Sequence, residues 1–184
     1  TFTEEKTFVD IILPNYNSFE FVEETINSII AQTYQNWHLY IIDDHSTDNS
    51  LQIINKFSNL KKVTIVKLSK NKGAGFCRNL ALRLSKSKYV AFIDSDDIWE
   101  KNKLQEQLEI MDNTNLDFTY TDYISFKEVN KNKKFKKKII PPENFTYESF
   151  SKNTSICTST MIIKREKIGT TKFTKTKICE DYFF

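Results

Sequence analysis

Short apolar runs and segments with apolar residues at helical spacing alternate along most of the chain. Continuous apolar runs predict buried strands at 9–13, 37–42, 63–66, 89–93 and 160–163, and alternation predicts a half-buried strand at 117–124. Apolar residues three and four positions apart predict helices at 21–30, 51–57, 71–84, 100–112 and, more weakly, 147–150. A side-chain oxygen of Asn17 or Ser18 would cap the first helix. This alternation predicts a single α/β domain.

Three predicted strands end in polar residues. The strand at 89–93 runs into Asp94-Ser95-Asp96-Asp97, the strand at 37–42 into Asp43-Asp44, and the strand at 9–13 into Pro14-Asn15-Tyr16-Asn17. Carboxylates this close repel one another and resist desolvation, so they indicate a bound cation or another positive group. Because ligands of open α/β sheets bind outside the carboxyl ends of the strands, one crevice would collect all three segments. For any single segment, the alternative is that strand ends are polar because they meet water.

Two of the three glycines, Gly73 and Gly75, lie in the turn that opens the third predicted helix. Glycine destabilises an ordered segment unless its backbone freedom or its lack of a side chain is used. The pair therefore indicates either close approach to a ligand or a tight turn into the helix. Arg78 occupies the position of the third glycine in the dinucleotide fingerprint, which argues against that motif.

Composition bounds the class of protein. With 184 residues, 39% of them hydrophobic and 14% aromatic, the chain can form one domain with a substantial core. The three cysteines are widely spaced, which favours neither a disulfide framework nor a zinc site and indicates a reducing compartment. The first residues lack the apolar core of a signal peptide, and no apolar run is long enough to span a bilayer. We therefore expect a cytoplasmic protein.

The basic residues are concentrated in one segment. The formal net charge is +3, but residues 127–138 alone carry +6, so the rest of the chain is acidic. The lysines of the densest part are Lys131, Lys133, Lys134, Lys136, Lys137 and Lys138. A mobile, solvated hairpin loop is the favoured interpretation, and peripheral contact with anionic lipid, or with a polyanionic acceptor, is the next. A nucleic-acid footprint that includes Phe135 is the remaining alternative, and we expect no nucleic-acid partner.

Five segments, in order, resemble the family 2 glycosyltransferases, which are inverting nucleotide-sugar transferases with the GT-A fold. These segments are VDIILPNYN at 9–17, IIDDHSTD at 41–48, NKGAGFCRN at 71–79, FIDSDDIW at 92–99 and ED at 180–181. The resemblance implies a GT-A (Rossmann-like) three-layer α/β/α sandwich with a mostly parallel central sheet. It also implies one domain over 1–184, with a nucleotide-binding part at about 8–100 and an acceptor-side part at about 101–184.

The resemblance implies a role for each matching position. The residues that would bind the nucleotide sugar are Pro14, Tyr16, Asn17, Asp44, Gly73, Arg78, Asp94 and Ser95. Among these, Asp44 would accept a hydrogen bond from the base, and Asp94 would contact the ribose. Asp96 would bind Mn²⁺ or Mg²⁺, and Asp181 would be the catalytic base.

The same resemblance implies the reaction. A sugar would pass from a nucleotide-diphospho-sugar, by default a UDP-sugar, to a hydroxyl of a saccharide or lipid-linked acceptor in cell-surface polysaccharide synthesis. Asp181 would take the proton of that hydroxyl, and the single displacement would invert the anomeric configuration. Magnesium is commonly held by one or two carboxylates together with phosphates and water, so Asp96 would suffice as the protein ligand. The cation would stabilise charge on the leaving diphosphate.

Two other functions stay open. The chain ends three residues after Asp181, where the resemblance implies a further helix with acceptor contacts, so it could be a truncated, catalytically silent fragment that binds nucleotide sugar. Alternatively, the lysine-rich segment could make it a nucleic-acid-binding or lipid-binding module. Donor-dependent release of nucleoside diphosphate would favour the transferase, and steeply salt-dependent binding would favour the module.

Four residues near these motifs receive structural interpretations. Asp43 is expected to be structural because neighbouring strand residues point to opposite faces. Asp97 would cap the next helix or place charge at its start. Trp99 would pack in the core beneath the site, in preference to serving as a platform for a sugar. Neither His38 nor His45 has histidine, cysteine or carboxylate partners at metal-ligand spacing.

Overall fold

The computed structural model describes residues 8–129, 132–142 and 156–173. Its strands are β1 (Val9–Asn15), β2 (Trp37–Asp43), β3 (Val63–Lys67), β4 (Tyr89–Phe92), β5 (Phe118–Thr119), β6 (Tyr123–Val129), β7 (Asn132–Ile139) and β8 (Ile162–Lys164). Its helices are α1 (Val22–Ile30), α2 (Ser50–Asn55), α3 (Ala74–Leu84), α4 (Lys103–Thr114) and α5 (Arg165–Ile168), with a 3-10 turn at Thr158–Thr160. Within these ranges, no helix has the length and apolar sequence needed to cross a bilayer. The helix predicted at 147–150 lies outside the described residues.

Six strands form the central sheet in the order β3-β2-β1-β4-β8-β5. Strand β1 pairs in parallel with β2 on one side and with β4 on the other, and β2 pairs in parallel with β3. Strand β8 runs antiparallel to both β4 and β5. The carboxyl ends of β1, β2 and β4 therefore meet at one edge, and the prediction of a mostly parallel α/β sheet is confirmed.

The central strand β1 contributes to both faces of the sheet. Ile11 and Leu13 pack in one core cluster with Ile26 of α1, whereas Ile12 packs in a second cluster with Cys77 of α3, and all five side chains are fully buried. Helices thus cover both faces, which gives the three-layer arrangement. A strand buried on both faces needs a continuous apolar sequence, and this is why the pattern of β1 was readable.

Helix α1 begins without the predicted side-chain cap. Its entry is closed by the backbone, because the Phe21 and Val22 N–H groups both donate to the Ser18 carbonyl at 2.9 Å. Asn17 Oδ1 instead accepts from the Thr47 N–H at 2.8 Å, and the Ser18 hydroxyl pairs with Ser95. The cap prediction was wrong because neighbouring loops compete for these two side chains.

Two predicted strands have different limits. The segment at 117–124 is divided between β5 in the central sheet and β6 in a separate two-stranded sheet. At 160–163, Thr160 belongs to the 3-10 turn, and its hydroxyl donates to the Cys157 carbonyl at 2.6 Å. This local bond competes with strand pairing, so the strand begins only at β8.

Candidate functional site

An open pocket of about 430 Å³ lies at the carboxyl edge of β1, β2 and β4. Its lining includes seven of the residues singled out from the sequence: Pro14, Tyr16, Asp44, Arg78, Asp94, Ser95 and Asp96. Asn17 and Gly73 do not line the pocket. Asn15, Ser18 and Ala74 also line it. Asn15 belongs to a polar segment expected at this crevice, but none of the three was predicted to bind the nucleotide sugar. Asp181 lies outside the described residues.

Asp44, directly after β2, holds the glycine turn against the sheet. Its two carboxylate oxygens accept from the N–H groups of Lys72 and Gly73, each at 2.7 Å. Gly73 has φ of +91°, a backbone conformation that favours glycine, and a Cβ there would meet nothing within 4 Å. The glycine is thus needed for the tight turn into α3. Asp44 is only 2% exposed and lines the pocket.

Arg78 of α3 neutralises Asp94. Its Nη2 donates to Asp94 Oδ1 at 2.6 Å, with side-chain exposures of 3% for Arg78 and 34% for Asp94. The ring of Phe173 lies 5.2 Å from the guanidinium carbon. The segment 94–97 is hereafter called the acidic loop. Of its three carboxylates, Asp94 therefore has a fixed, positively charged partner.

Hydrogen bonds from two other segments hold the acidic loop. The Asp97 N–H donates to the Asp94 carbonyl at 3.1 Å and closes the turn. The Ser95 hydroxyl lies 2.6 Å from the Ser18 hydroxyl, and the Thr25 hydroxyl donates to the Ser95 carbonyl at 3.0 Å. No sequence pattern links these residues, because 70 or more positions separate each pair.

The three carboxylates of the acidic loop have different surroundings. Asp96 is exposed to solvent at the pocket. Asp97 accepts a hydrogen bond from the Ser159 hydroxyl. The pKa of Asp97 is raised to about 6, chiefly by burial and further by the charges of Asp94 and Asp96, while the hydrogen bond from Ser159 opposes the rise. Asp97 is not the predicted helix cap, because α4 begins six residues later, after Asn102.

The other structural interpretations match the geometry. Asp43 is fully buried and accepts from Asn15 Nδ2 at 2.9 Å and from the Ser46 hydroxyl at 2.6 Å, so it braces the ends of β1 and β2. Trp99 is 5% exposed and packs in the core. His38 Nε2 pairs with the Thr64 hydroxyl at 2.8 Å.

The pocket carboxylates fit a cation that is bound together with phosphate oxygens of a ligand. Within the described part of the chain, no group of three or more histidine, cysteine or acidic side chains could hold a metal by itself. Asp94 pairs with Arg78 and Asp97 faces Ser159, which leaves Asp96 as the exposed carboxylate. One carboxylate plus phosphates and water is a common set for magnesium, and manganese likewise suits oxygen ligands.

The lysine-rich segment lies in a β-hairpin, with five of its lysines on strand β7 and not in the predicted hairpin loop. Strands β6 and β7, hereafter the lysine hairpin, pair antiparallel with Phe126 opposite Phe135 and Lys127 opposite Lys134. Phe135 is 69% exposed and is followed by three exposed lysines on β7. Lys133 forms an ion pair with Glu24 of α1. Lys131 lies outside the described residues.

Comparisons with known proteins agree with this geometry. The model of the family described as "Glycosyl transferase family 2" matches residues 10–182. TuaG of Bacillus subtilis, assigned to teichuronic acid biosynthesis as a glycosyltransferase, is 37% identical over 168 residues, which are 91% of this chain and 66% of TuaG. WfgD of Escherichia coli, a UDP-Glc:alpha-D-GlcNAc-diphosphoundecaprenol beta-1,3-glucosyltransferase, is 34% identical over 165 residues, 90% of this chain and 63% of WfgD.

A solved structure extends the comparison to the fold. S. aureus TarS 1–349, in complex with UDP-GlcNAc, superposes with a TM-score of 0.73 at 26% identity and covers 96% of this chain. The chain spans 51% of that TarS chain and less than two thirds of TuaG and WfgD.

Proposed function

The chain belongs to glycosyl transferase family 2, and from this premise we propose that it transfers a sugar from a UDP-sugar to a hydroxyl of a saccharide or lipid-linked acceptor, with inversion, in cell-surface polysaccharide synthesis. The observation that carries the proposal is the pocket that unites Asp44, Asp94 and Asp96 at the carboxyl ends of parallel strands. The UDP-GlcNAc complex of TarS supports the donor, and the lipid-linked substrate in the name of WfgD supports the acceptor.

Different pocket residues are proposed to contact different parts of the donor. Tyr16, 48% exposed at the pocket, offers a ring on which a base can stack. Asp44 has oxygen lone pairs for an N–H of the base, and the glycine turn that it holds leads to Arg78. Asp94, oriented by Arg78, is proposed to contact the ribose. The other residues proposed to bind the nucleotide sugar are Pro14, Asn17, Gly73 and Ser95.

Asp96 is the residue proposed to hold Mn²⁺ or Mg²⁺ against the diphosphate. A bound cation supplies charge stabilisation for the leaving diphosphate, and this is the reason for metal dependence. The contribution of the chain is to keep Asp96 exposed while the neighbouring carboxylates are engaged by Arg78 and Ser159.

Asp181 is the proposed catalytic base. A carboxylate with its ordinary pKa near 4 is a weak base, so its neighbour Glu180 or partial desolvation would have to raise the pKa of Asp181. Attack of the deprotonated acceptor oxygen on the anomeric carbon, opposite the departing diphosphate, inverts the configuration. Residues 1–184 are proposed to form one domain, with the donor part at about 8–100 and the acceptor part at about 101–184.

The lysine hairpin is proposed to bring the enzyme to the inner, cytoplasmic face of a membrane. Its lysines, together with Lys131 in the sequence between the two strands, would attract anionic headgroups, each contributing about 1 kcal/mol close to the surface. The exposed ring of Phe135 could enter the headgroup region beside them. A lipid-linked acceptor would be reached from the same surface.

An assay of nucleoside diphosphate release tests the transfer reaction. The chain is incubated with a panel of UDP-, dTDP- and GDP-sugars, Mn²⁺ and a diphosphoundecaprenol-linked saccharide, and we expect acceptor-dependent release of UDP. Asp181→Asn should abolish release while UDP affinity stays near that of wild type. Near-normal turnover by Asp181→Asn would remove Asp181 from the mechanism. Tight UDP binding without turnover by wild type would identify the silent fragment, consistent with its partial coverage of the relatives.

A further inference from the structure

Ser159, in the 3-10 turn, contacts the acidic loop at both of its ends. The Asp94 N–H donates to Ser159 Oγ at 3.0 Å, and the Ser159 hydroxyl donates to Asp97 Oδ2. The Ser159 carbonyl accepts from Trp99 Nε1 at 2.8 Å. Ser159 lies 60 or more positions from these three residues and is 6% exposed.

A hydroxyl is well suited to this place. One serine oxygen can accept from an amide and donate to a carboxylate at the same time. A side chain without a hydroxyl would leave the Asp94 N–H without this hydrogen bond and would leave Asp97 Oδ2 with the weaker contact to the Cys157 thiol, at 3.9 Å. Since the two ends of a four-residue turn are tied to one atom, the conformation between them depends on that atom.

This restraint would define the position of Asp96. Its neighbours are engaged, Ser95 by Ser18 and Asp97 by Ser159, while the Asp96 side chain stays exposed at the pocket. A carboxylate on a four-residue turn can present an oxygen reproducibly only if the turn is held on both sides.

We propose that Ser159 is a positioning residue, whose hydroxyl fixes the acidic loop so that Asp96 meets a divalent cation on a nucleoside diphosphate. Asp97 is then the anchor of the loop and not a ligand of the cation. The inference rests on the proposed function, because the ligand is the one proposed for the same pocket.

Calorimetric titration of UDP, with and without Mn²⁺, tests the role of Ser159. In Ser159→Ala, the Mn²⁺-dependent affinity for UDP should fall at least tenfold, the range seen when partners of metal ligands are removed, while affinity without Mn²⁺ stays within about twofold. Ser159→Thr keeps the hydroxyl and should restore most of the loss. Thr160→Val is the matched control, since it removes a buried hydroxyl of the same turn that bonds to Cys157 and not to the acidic loop.

Asp97→Asn separates an anchor from a ligand and does not depend on the folding of Ser159→Ala. An asparagine can still accept from Ser159, so we expect its Mn²⁺-dependent affinity to stay within about threefold of wild type, whereas Asp96→Asn should lose the Mn²⁺ effect. Equal affinities in wild type and Ser159→Ala would overturn the inference, as would an Asp97→Asn variant that behaves like Asp96→Asn. A wild-type chain that does not bind UDP with Mn²⁺ would instead overturn the proposed function.

Discussion

The acidic loop and the lysine hairpin each contain several charges of one sign, but they differ in whether those charges are paired or exposed to solvent. In the acidic loop, Asp94 is paired with a buried guanidinium and Asp97 with a hydroxyl, and only Asp96 is exposed. In the lysine hairpin, the charges of Lys134, Lys136 and Lys137 point into solvent. Fixed charges in a pocket select one small ligand by geometry, whereas exposed charges attract any anionic surface and are screened by salt.

Removing the cation from the buried pair gives the largest predicted effect. Arg78→Met leaves Asp94 without its partner, and we expect a loss of about 3 kcal/mol in the free energy of unfolding, the low end for buried pairs because Asp94 is partly exposed. Chemical denaturation measures the loss. Lys56→Met breaks the exposed pair with Glu23 and should cost less than about 0.5 kcal/mol. Equal losses in the two variants would mean that burial makes no difference to these charges.

Neutralising the lysine hairpin gives the next largest effect. The double variant Lys134→Gln and Lys136→Gln should weaken binding to vesicles that contain anionic lipid by about 2 kcal/mol, with no effect on the free energy of unfolding. Vesicle co-sedimentation at low and high salt measures it, and the wild-type affinity should fall as salt rises. The control replaces the exposed lysines Lys61 and Lys101 by glutamine. If the control loses as much affinity, or if nucleic acid competes better than lipid, the hairpin is not a membrane surface.

The two regions also differ in how much of their structure the sequence predicts. The apolar runs of the parallel strands and the acids that end them were predictable, because burial on both faces leaves a continuous pattern. Strand β7 of the lysine hairpin was not, since lysine at five of its eight positions hides the alternation expected of a strand. The hydrogen-bond partners of Ser95 and Asp97 could not be predicted either, because Ser18 and Ser159 are distant in sequence and serines carry no periodic signal.

A buried lysine behind the acidic loop gives a smaller, pH-dependent effect. Burial lowers the pKa of Lys103 to about 7, although its Nζ contacts the Trp99 ring and Gln107 Oε1. The unfolded chain keeps this lysine charged up to about pH 10, so stability should rise with pH through 7, by about 1 kcal/mol between pH 6 and pH 8. Urea denaturation at both pH values measures the change.

Lys103→Met should remove this pH dependence. Lys101→Met, at an exposed position two residues earlier, should keep it. A Lys103→Met variant with an unchanged slope would show that another group titrates in this range.

The smallest predicted effect concerns the backbone after Asp44. His45 has φ of +64°, a conformation that favours glycine. His45→Gly should therefore raise the free energy of unfolding by about 0.5 kcal/mol, since relief of strain exceeds the added freedom of the unfolded chain. His38→Gly, in strand β2, should have the opposite sign, because it removes a hydrogen bond to Thr64. Thermal unfolding of the two variants checks both signs.

A crystal structure of the chain with Mn²⁺ and UDP, using the anomalous signal of manganese, would show directly whether Asp96 holds the cation beside the diphosphate. We expect one anomalous peak at coordination distance from the Asp96 carboxylate, with the diphosphate beside it and the uracil near Asp44. A peak elsewhere on the chain, or UDP bound away from the acidic loop, would contradict this expectation.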